Sequence, residues 1–200
     1  HNTRFIEAHR LAAYPPPRAG MPRRGTEVSV VLDLMIHDID LVLRMVNAEI
    51  ERIDVVGIPV LSGSEDIVNA RIKFVNGCCA SLTASRVSQN PMRRFRVFQK
   101  DSYISMDYGN HFGMVLKRNK LGLARKDVEL NEKNALAEEL EDFIAAVNRT
   151  KVTGIVQEPR VSGAQGLKAL EVAVAIESEA RRYNKEYGFE FPVWSPDEMA

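Results

Sequence analysis

Asp33, His37, Asp40 and Arg44 recur at i, i+4, i+7 and i+11, a spacing that lines up one face of a helix. Imidazole titrates near neutrality, so a histidine there can take a proton from a hydroxyl and return it. A carboxylate one turn away can orient that ring or raise its pKa. The same spacing also describes an ordinary surface pair. The setting favours chemistry, because the run from Leu32 to Val46 is otherwise apolar. Met35, Ile36, Ile39, Val42, Leu43 and Val46 form a second, hydrophobic stripe, and a Gly/Pro/Arg-rich loop over residues 18–26 leads into the helix. Asp33, His37, Asp38 and Asp40 together also suggest a divalent cation. Asp38 points away from the Asp33/His37 stripe, which leaves only part of a coordination shell, and no metal is expected.

Other residues carry weaker signals. Arg93, Arg94, Arg96 and Lys100 form a basic cluster. On a strand, Arg94, Arg96 and Lys100 share one face while Arg93 joins Phe95 on the other, the pattern of a solvated rim. Arg18, Arg23 and Arg24 could hold a diphosphate, since guanidinium matches phosphate oxygens, although solvated loop arginines look the same in sequence. Cys78 and Cys79 are adjacent; on a strand they point to opposite faces and are badly placed to bridge. With no CxxC and no zinc spacing, core filling in a reducing cytoplasm is the expectation. G-x-G-x-x-G, G-x-x-x-x-G-K-[ST] and G-x-S-x-G are all absent. These residues are therefore expected to hold no dinucleotide by themselves.

The elements that must position the helix follow from periodicity. The 200 residues are 45% hydrophobic and 27% charged, with 27 basic residues against 27 acidic ones. That suits one ordinary domain and argues against a general nucleic-acid binder, which needs a cationic excess. No stretch reaches the roughly 20 apolar residues of a membrane span. Thr3 to Tyr14 reads as a short helix stopped by Pro15-Pro16-Pro17. Arg52–Val60, Asp66–Val75, Cys78–Val87, Arg93–Gln99, Tyr103–Tyr108 and Gly113–Lys117 read as strands. Asn76-Gly77 predicts a two-residue type I′ hairpin, pairing Phe74 with Cys79, Ile72 with Ser81 and Ala70 with Thr83. In that register neither face is cleanly polar, which predicts that both are covered, one by helices and one by another subunit. Two helices follow, marked by Leu136, Leu140, Phe143, Ile144 and Val147, then by Leu167, Leu170 and Val174 onward; Phe189 to Trp194 reads as an extended tail. The order predicts an α+β fold with a largely antiparallel sheet. HD-type phosphohydrolases, whose dyad His37-Asp38 echoes, are all-helical and do not fit.

The stretch VVLDLMIHDIDLVLRMV, Val30 to Val46, resembles the Asp-x-x-x-His segment of the Gfo/Idh/MocA oxidoreductases. HNTRF at His1 to Phe5 is similar to that family's crossing between domains. EDIVNARIKFVNGCCASLTASRVS, FRVFQKDSYISMDY and GLKALEVAVAIESEA continue the likeness in order. The branch it looks most like is the MviM-like group, which includes UDP-N-acetylglucosamine 3-dehydrogenases. The resemblance implies that residues 1–200 are a C-terminal substrate-binding and oligomerisation domain, an open-faced, mostly antiparallel sheet with helices on one face. Residues 1–15 would be the crossing from a Rossmann domain upstream that binds NAD or NADP. It further implies a cytoplasmic homo-oligomer built through the open sheet face, acting on a sugar or UDP-sugar. His37 would be acid/base, Asp33 would position substrate, and Arg4 and Arg86 would contact it. The family's Glu-Lys-Pro lysine would lie upstream of His1, and this chain alone would be inactive. Two alternatives stay open: a non-catalytic dimerisation or ligand-binding module, and a free-sugar or inositol dehydrogenase of the same family.

Overall fold

The computed structural model describes residues 3–19, 23–120, 122–130 and 134–189. Among these described residues eight strands form one sheet: β1 (Thr3–Leu11), β2 (Ile50–Ile58), β3 (Ile67–Phe74), β4 (Cys79–Ser85), β5 (Met92–Gln99), β6 (Ser102–Asp107), β7 (Phe112–Asn119) and β8 (Gly122–Glu129). Their spatial order is β2-β3-β4-β1-β5-β6-β7-β8. Only β1 and β4 run parallel among these pairs, the rest being antiparallel. A π-helical turn, Val31–Met35, continues as α1 (Ile36–Val46); α2 (Ala135–Thr153) and α3 (Gly163–Tyr187) follow the sheet. The fold is the α+β class that the order of elements implies. No helix among the described residues is long and apolar enough to cross a membrane.

Thr3–Leu11 is a strand rather than the expected helix. Glu, Ala, His, Arg and Leu favour helix locally, but Ile6 and Ala8 alternate with Phe5, Glu7 and His9 and are buried in the core. Pairing on both sides, to β4 and to β5, overrides the local preference. These residues are therefore an interior part of the sheet itself.

The β3–β4 hairpin is shifted from the predicted register. The amide of Gly77 donates to the Phe74 carbonyl, and that of Phe74 to Cys78, so the loop holds Val75, Asn76 and Gly77. Of these, only Gly77 has positive φ, +80°. This is the three-residue loop with a glycine in the left-handed region, not the two-residue turn. Ile72 consequently faces Ala80, and Ala70 faces Leu82. A one-residue slip exchanges faces. Val68, Ala70, Ile72 and Phe74 join Cys78, Ala80, Leu82 and Ala84 in one buried layer. Asn69, Arg71 and Lys73 share the other face with Ser81 and Thr83. The hairpin thus has one apolar and one polar face, where the predicted register left neither face cleanly polar.

The core lies between this layer and Val31, Met35, Ile39, Val42 and Val46 of the first helix, with Ala169, Val172, Ala173 and Ile176 of α3 beside them. A serine-and-glutamine capping box, Ser162 with Gln165, starts α3. Leu136, Leu140, Phe143 and Ile144 of α2, and Leu167 and Val174 of α3, are exposed in this chain. The apolar periodicity that identified these helices belongs largely to an uncovered surface.

Glu65 and Asn184 join α3 to the loop that precedes β3. Both are buried, and the Asn184 amide donates to Glu65 Oε1 at 3.4 Å. Among the described residues Glu65 Oε2 and Asn184 Oδ1 have no partner, so a neutral carboxyl, able to donate, fits the space better than a carboxylate. Burial pushes the Glu65 pKa up; its own backbone amide and Arg181 pull against that. Because the folded pKa exceeds the unfolded value of about 4.3, the bound proton stabilises the fold below that value. The contribution is lost as pH rises through the folded pKa. Glu65→Gln, which keeps the group neutral, is expected to raise the denaturation midpoint at pH 8 and leave it nearly unchanged at pH 4. Equal effects at both pH values would exclude the neutral carboxyl.

Candidate active site

Arg10, near the end of β1, reaches up to α1. Its Nε and Nη2 donate to Asp38 at 2.9 and 3.0 Å, a two-pronged guanidinium–carboxylate pair with both side chains mostly buried. This pair ties the start of α1 to the centre of the sheet. Asp38 indeed points away from the Asp33/His37 stripe. His37, one residue earlier on the helix, faces outward and is exposed. It lines a cavity of about 720 Å³ with Arg10, Asp40, Leu140, Phe143 and Ala169 among its walls. Asp40 holds a loose ion pair with Arg44 at 3.8 Å.

Asp33 lies in the π-helical turn, not in a regular α-helix. Such turns commonly occur where function requires a local departure from α geometry. Its carboxylate is half-buried against Gly25: a Cβ built on that glycine would fall 2.7 Å from Oδ2. The Asp33 amide donates to the Ser29 carbonyl at 3.1 Å, but among the described residues no hydrogen bond or ion pair engages its carboxylate, and none joins it to His37. The cavity that receives His37 is not lined by Asp33.

Arg86 is enclosed. It is 2% exposed, and each guanidinium nitrogen is committed within the chain. Nε donates to Asp66 Oδ1 at 2.7 Å, Nη1 to the carbonyls of Gly25 and Val28, and Nη2 to the Ser62 and Ser64 hydroxyls. The substrate contact expected of Arg86 gives way to a structural task, for the plain reason that its donors are used. Asp66 accepts from Arg86 and Ser62 on one oxygen and from the amides of Val60, Leu61 and Ser62 on the other. Burial alone would raise the Asp66 pKa. The Ser62 hydroxyl, the Leu61 amide and Arg86 outweigh it and hold the carboxyl below its ordinary range.

Arg4 is exposed at the irregularity between Thr3 and Phe5, at the opposite end of β1 from Arg10. Six residue-to-residue steps of strand separate the two, about 20 Å at ~3.3 Å per step. The structure does not bring Arg4 to His37. Arg94 and Arg96 lie on the open face, paired with Asp107 and Glu7, and Arg93 is across the strand pair from Arg10. Arg10 and Gly25 are the residues that sequence reasoning missed. One signal was available: an acidic side chain on the inward face of an apolar helix demands a cationic partner, but which cation supplies it depends on the strand order.

Fold and site together define a class: an open-faced sheet domain whose first helix presents an exposed histidine beside a cavity. The family model "GFO/IDH/MocA C-terminal domain" matches residues 2–104. A UDP-N-acetylglucosamine 3-dehydrogenase of Acidithiobacillus ferrooxidans is 36% identical over 187 residues, covering 90% of this chain and 56% of that protein. The solved structure of that organism's UDP-N-acetylglucosamine 3-dehydrogenase GnnA superposes with a TM-score of 0.79 at 32% identity, over 91% of this chain and 55% of the other. Levoglucosan dehydrogenase in complex with NADH shares the fold, with a TM-score of 0.72 at 18% identity, over 91% of this chain and 57% of the other. The chain belongs to the GFO/IDH/MocA family of oxidoreductases. It spans a little over half the length of the relatives it matches.

Removing one partner of a buried ion pair leaves the other charged and unsatisfied, at a cost of about 3–5 kcal/mol. Arg86→Met and Asp66→Ala are each expected to destabilise the protein by that amount. Denaturant unfolding that places either variant within 1 kcal/mol of the wild type, about an ordinary net hydrogen bond, would contradict the role given to the pair.

Proposed function

We propose that this chain is the substrate-side part of an NAD(P)-dependent dehydrogenase that oxidises a secondary hydroxyl of a sugar nucleotide, UDP-N-acetylglucosamine or a close analogue. The observation that carries this is the exposed His37, directed into a cavity by a helix whose neighbouring Asp38 is locked inward by Arg10. The similarity to UDP-N-acetylglucosamine 3-dehydrogenase supports the substrate class. His37 would accept the hydroxyl proton, and a nicotinamide bound by the rest of the protein would supply the acceptor for the hydride lost from the carbinol carbon. Asp33, with no partner of its own among the described residues, accepts hydrogen bonds from substrate hydroxyls and orients them.

The residues of this chain do not fit a dinucleotide. They carry no glycine-rich fingerprint, and the parallel pair among the described residues, β1 and β4, is separated by a helix and two antiparallel strands rather than a βαβ crossover. The hydride acceptor and the Glu-Lys-Pro lysine are assigned to the part of the protein represented in the longer relatives. The exposed apolar faces of α2 and α3 supply a surface for that part. This chain alone is expected to turn over no alcohol. Cytoplasmic residence accords with the two unbridged cysteines.

In the intact protein, His37→Asn is expected to fold and to lose about 10²–10⁴-fold in turnover, measured as reduced nicotinamide formed from UDP-N-acetylglucosamine with NAD⁺ or NADP⁺. Wild-type turnover in the variant would remove His37 from the mechanism. Turnover of free sugars or cyclitols but not UDP-sugars would keep the family and discard the substrate. Failure to bind either nicotinamide would leave a non-catalytic module.

Assembly through the open sheet face belongs to the same reading. The Phe5, Phe98 and Tyr103 rings pack there at 5.5 and 4.8 Å between centroids, flanked by the Glu7–Arg96 and Arg94–Asp107 ion pairs. Light scattering of the intact protein is expected to give a homo-oligomer. A monomer at micromolar concentration would end that assignment.

A further inference from the structure

We propose that Gly25, held by Arg86, is a positioning residue for the Asp33 carboxylate; the inference rests on the reading of Asp33 as a substrate-facing group. A carboxylate is usually located by the hydrogen bonds it accepts, and Asp33 accepts none within the described chain. Its neighbour is the α-carbon of Gly25. A Cβ there would lie 2.7 Å from Oδ2, 3.0 Å from Cγ and 3.2 Å from Oδ1. The carboxylate thus occupies the space that any larger residue at position 25 would fill. The backbone of Gly25 has φ +80°, a conformation that side-chain-bearing residues rarely adopt.

Gly25 does not stand free. Its carbonyl accepts from Arg86 Nη1, which also donates to Val28 at 2.9 Å. The same turn is tightened by the Thr26 hydroxyl, bonded to the Arg23 carbonyl at 2.7 Å. Arg86 is fixed in turn by Asp66. Contact therefore runs from Asp66 through Arg86 and Gly25 to Asp33. A wall of this kind sets where the carboxylate sits without occupying its lone pairs, which are left to a ligand.

The test uses the intact protein with UDP-N-acetylglucosamine and NAD⁺ or NADP⁺, in Gly25→Ala, Asp33→Asn and the double variant. Displacing a substrate-orienting group by about 1 Å can cost on the order of 10²-fold, so Gly25→Ala is expected to lose that much turnover. The double variant should be no slower than Asp33→Asn alone, because two residues acting through one contact do not combine independently. Losses that multiply, or full turnover in Gly25→Ala, would overturn the proposal. Full turnover in Asp33→Asn would instead overturn the functional reading beneath it. Thermal midpoints of Gly25→Ala in wild-type and Asp33→Ala backgrounds test the contact separately, even where Gly25→Ala is too unstable to assay. The midpoint drop is expected to shrink once the carboxylate is gone; equal drops would overturn the contact. Arg86→Lys should reproduce the Gly25→Ala loss in part, with the cycle against Asp33→Asn again non-additive.

Discussion

A buried arginine and aspartate are costly to remove from water, and their attraction offsets that cost only where every remaining donor and acceptor is also met. Arg86 and Asp66 meet this condition. Asp66 gathers three amides and a hydroxyl besides the guanidinium, and Arg86 gathers carbonyls and hydroxyls from two other segments. The requirement to satisfy the pair draws the end of β4, the 60–66 loop and the 25–28 loop into one unit. The helix carrying Asp33 and His37 begins directly from that unit: the Val30 amide donates to the Glu65 carbonyl. Its position is a consequence of solvation as much as of apolar packing.

The second constraint is the division of labour around α1. Successive helical residues point in different directions, so His37 and Asp38 face outward and inward. Inside, Asp38 would be an uncompensated charge without Arg10. Outside, His37 is left with the cavity. The apolar residues Met35, Ile39, Val42 and Val46 bury the helix firmly, so the exposed imidazole sits on a rigid element.

The sheet's two faces are equally distinct. Helices cover the apolar layer of β1, β3, β4 and β5. The other face mixes Asn69, Arg71, Lys73, Ser81 and Thr83 with a strip of aromatic rings and ion pairs. At the far edge β8 is exposed along its whole length. Such a surface is neither a core nor a uniformly charged exterior, and the helices that follow carry apolar residues beyond those the sheet accommodates.

Much of this was legible from residue order. The short β-rich segments, the apolar stripe of the first helix and the opposite directions of His37 and Asp38 all follow from spacing, because side-chain direction in helices and strands is periodic. The family likeness also rests on that segment. What spacing could not decide was partnership. Thr3–Leu11 is rich in helix formers and became a strand because two neighbours supplied its backbone partners. The Asn76-Gly77 turn took three residues instead of two, a choice that depends on which face of the hairpin the helices bury. Arg86 looked like a ligand contact and is instead enclosed, while Gly25, one glycine among twelve, stands against Asp33. Local sequence determines which groups are available and which way they point along an element. Only the tertiary structure determines which distant groups meet, because burial makes each buried charge and backbone amide find a partner wherever the chain's path provides one.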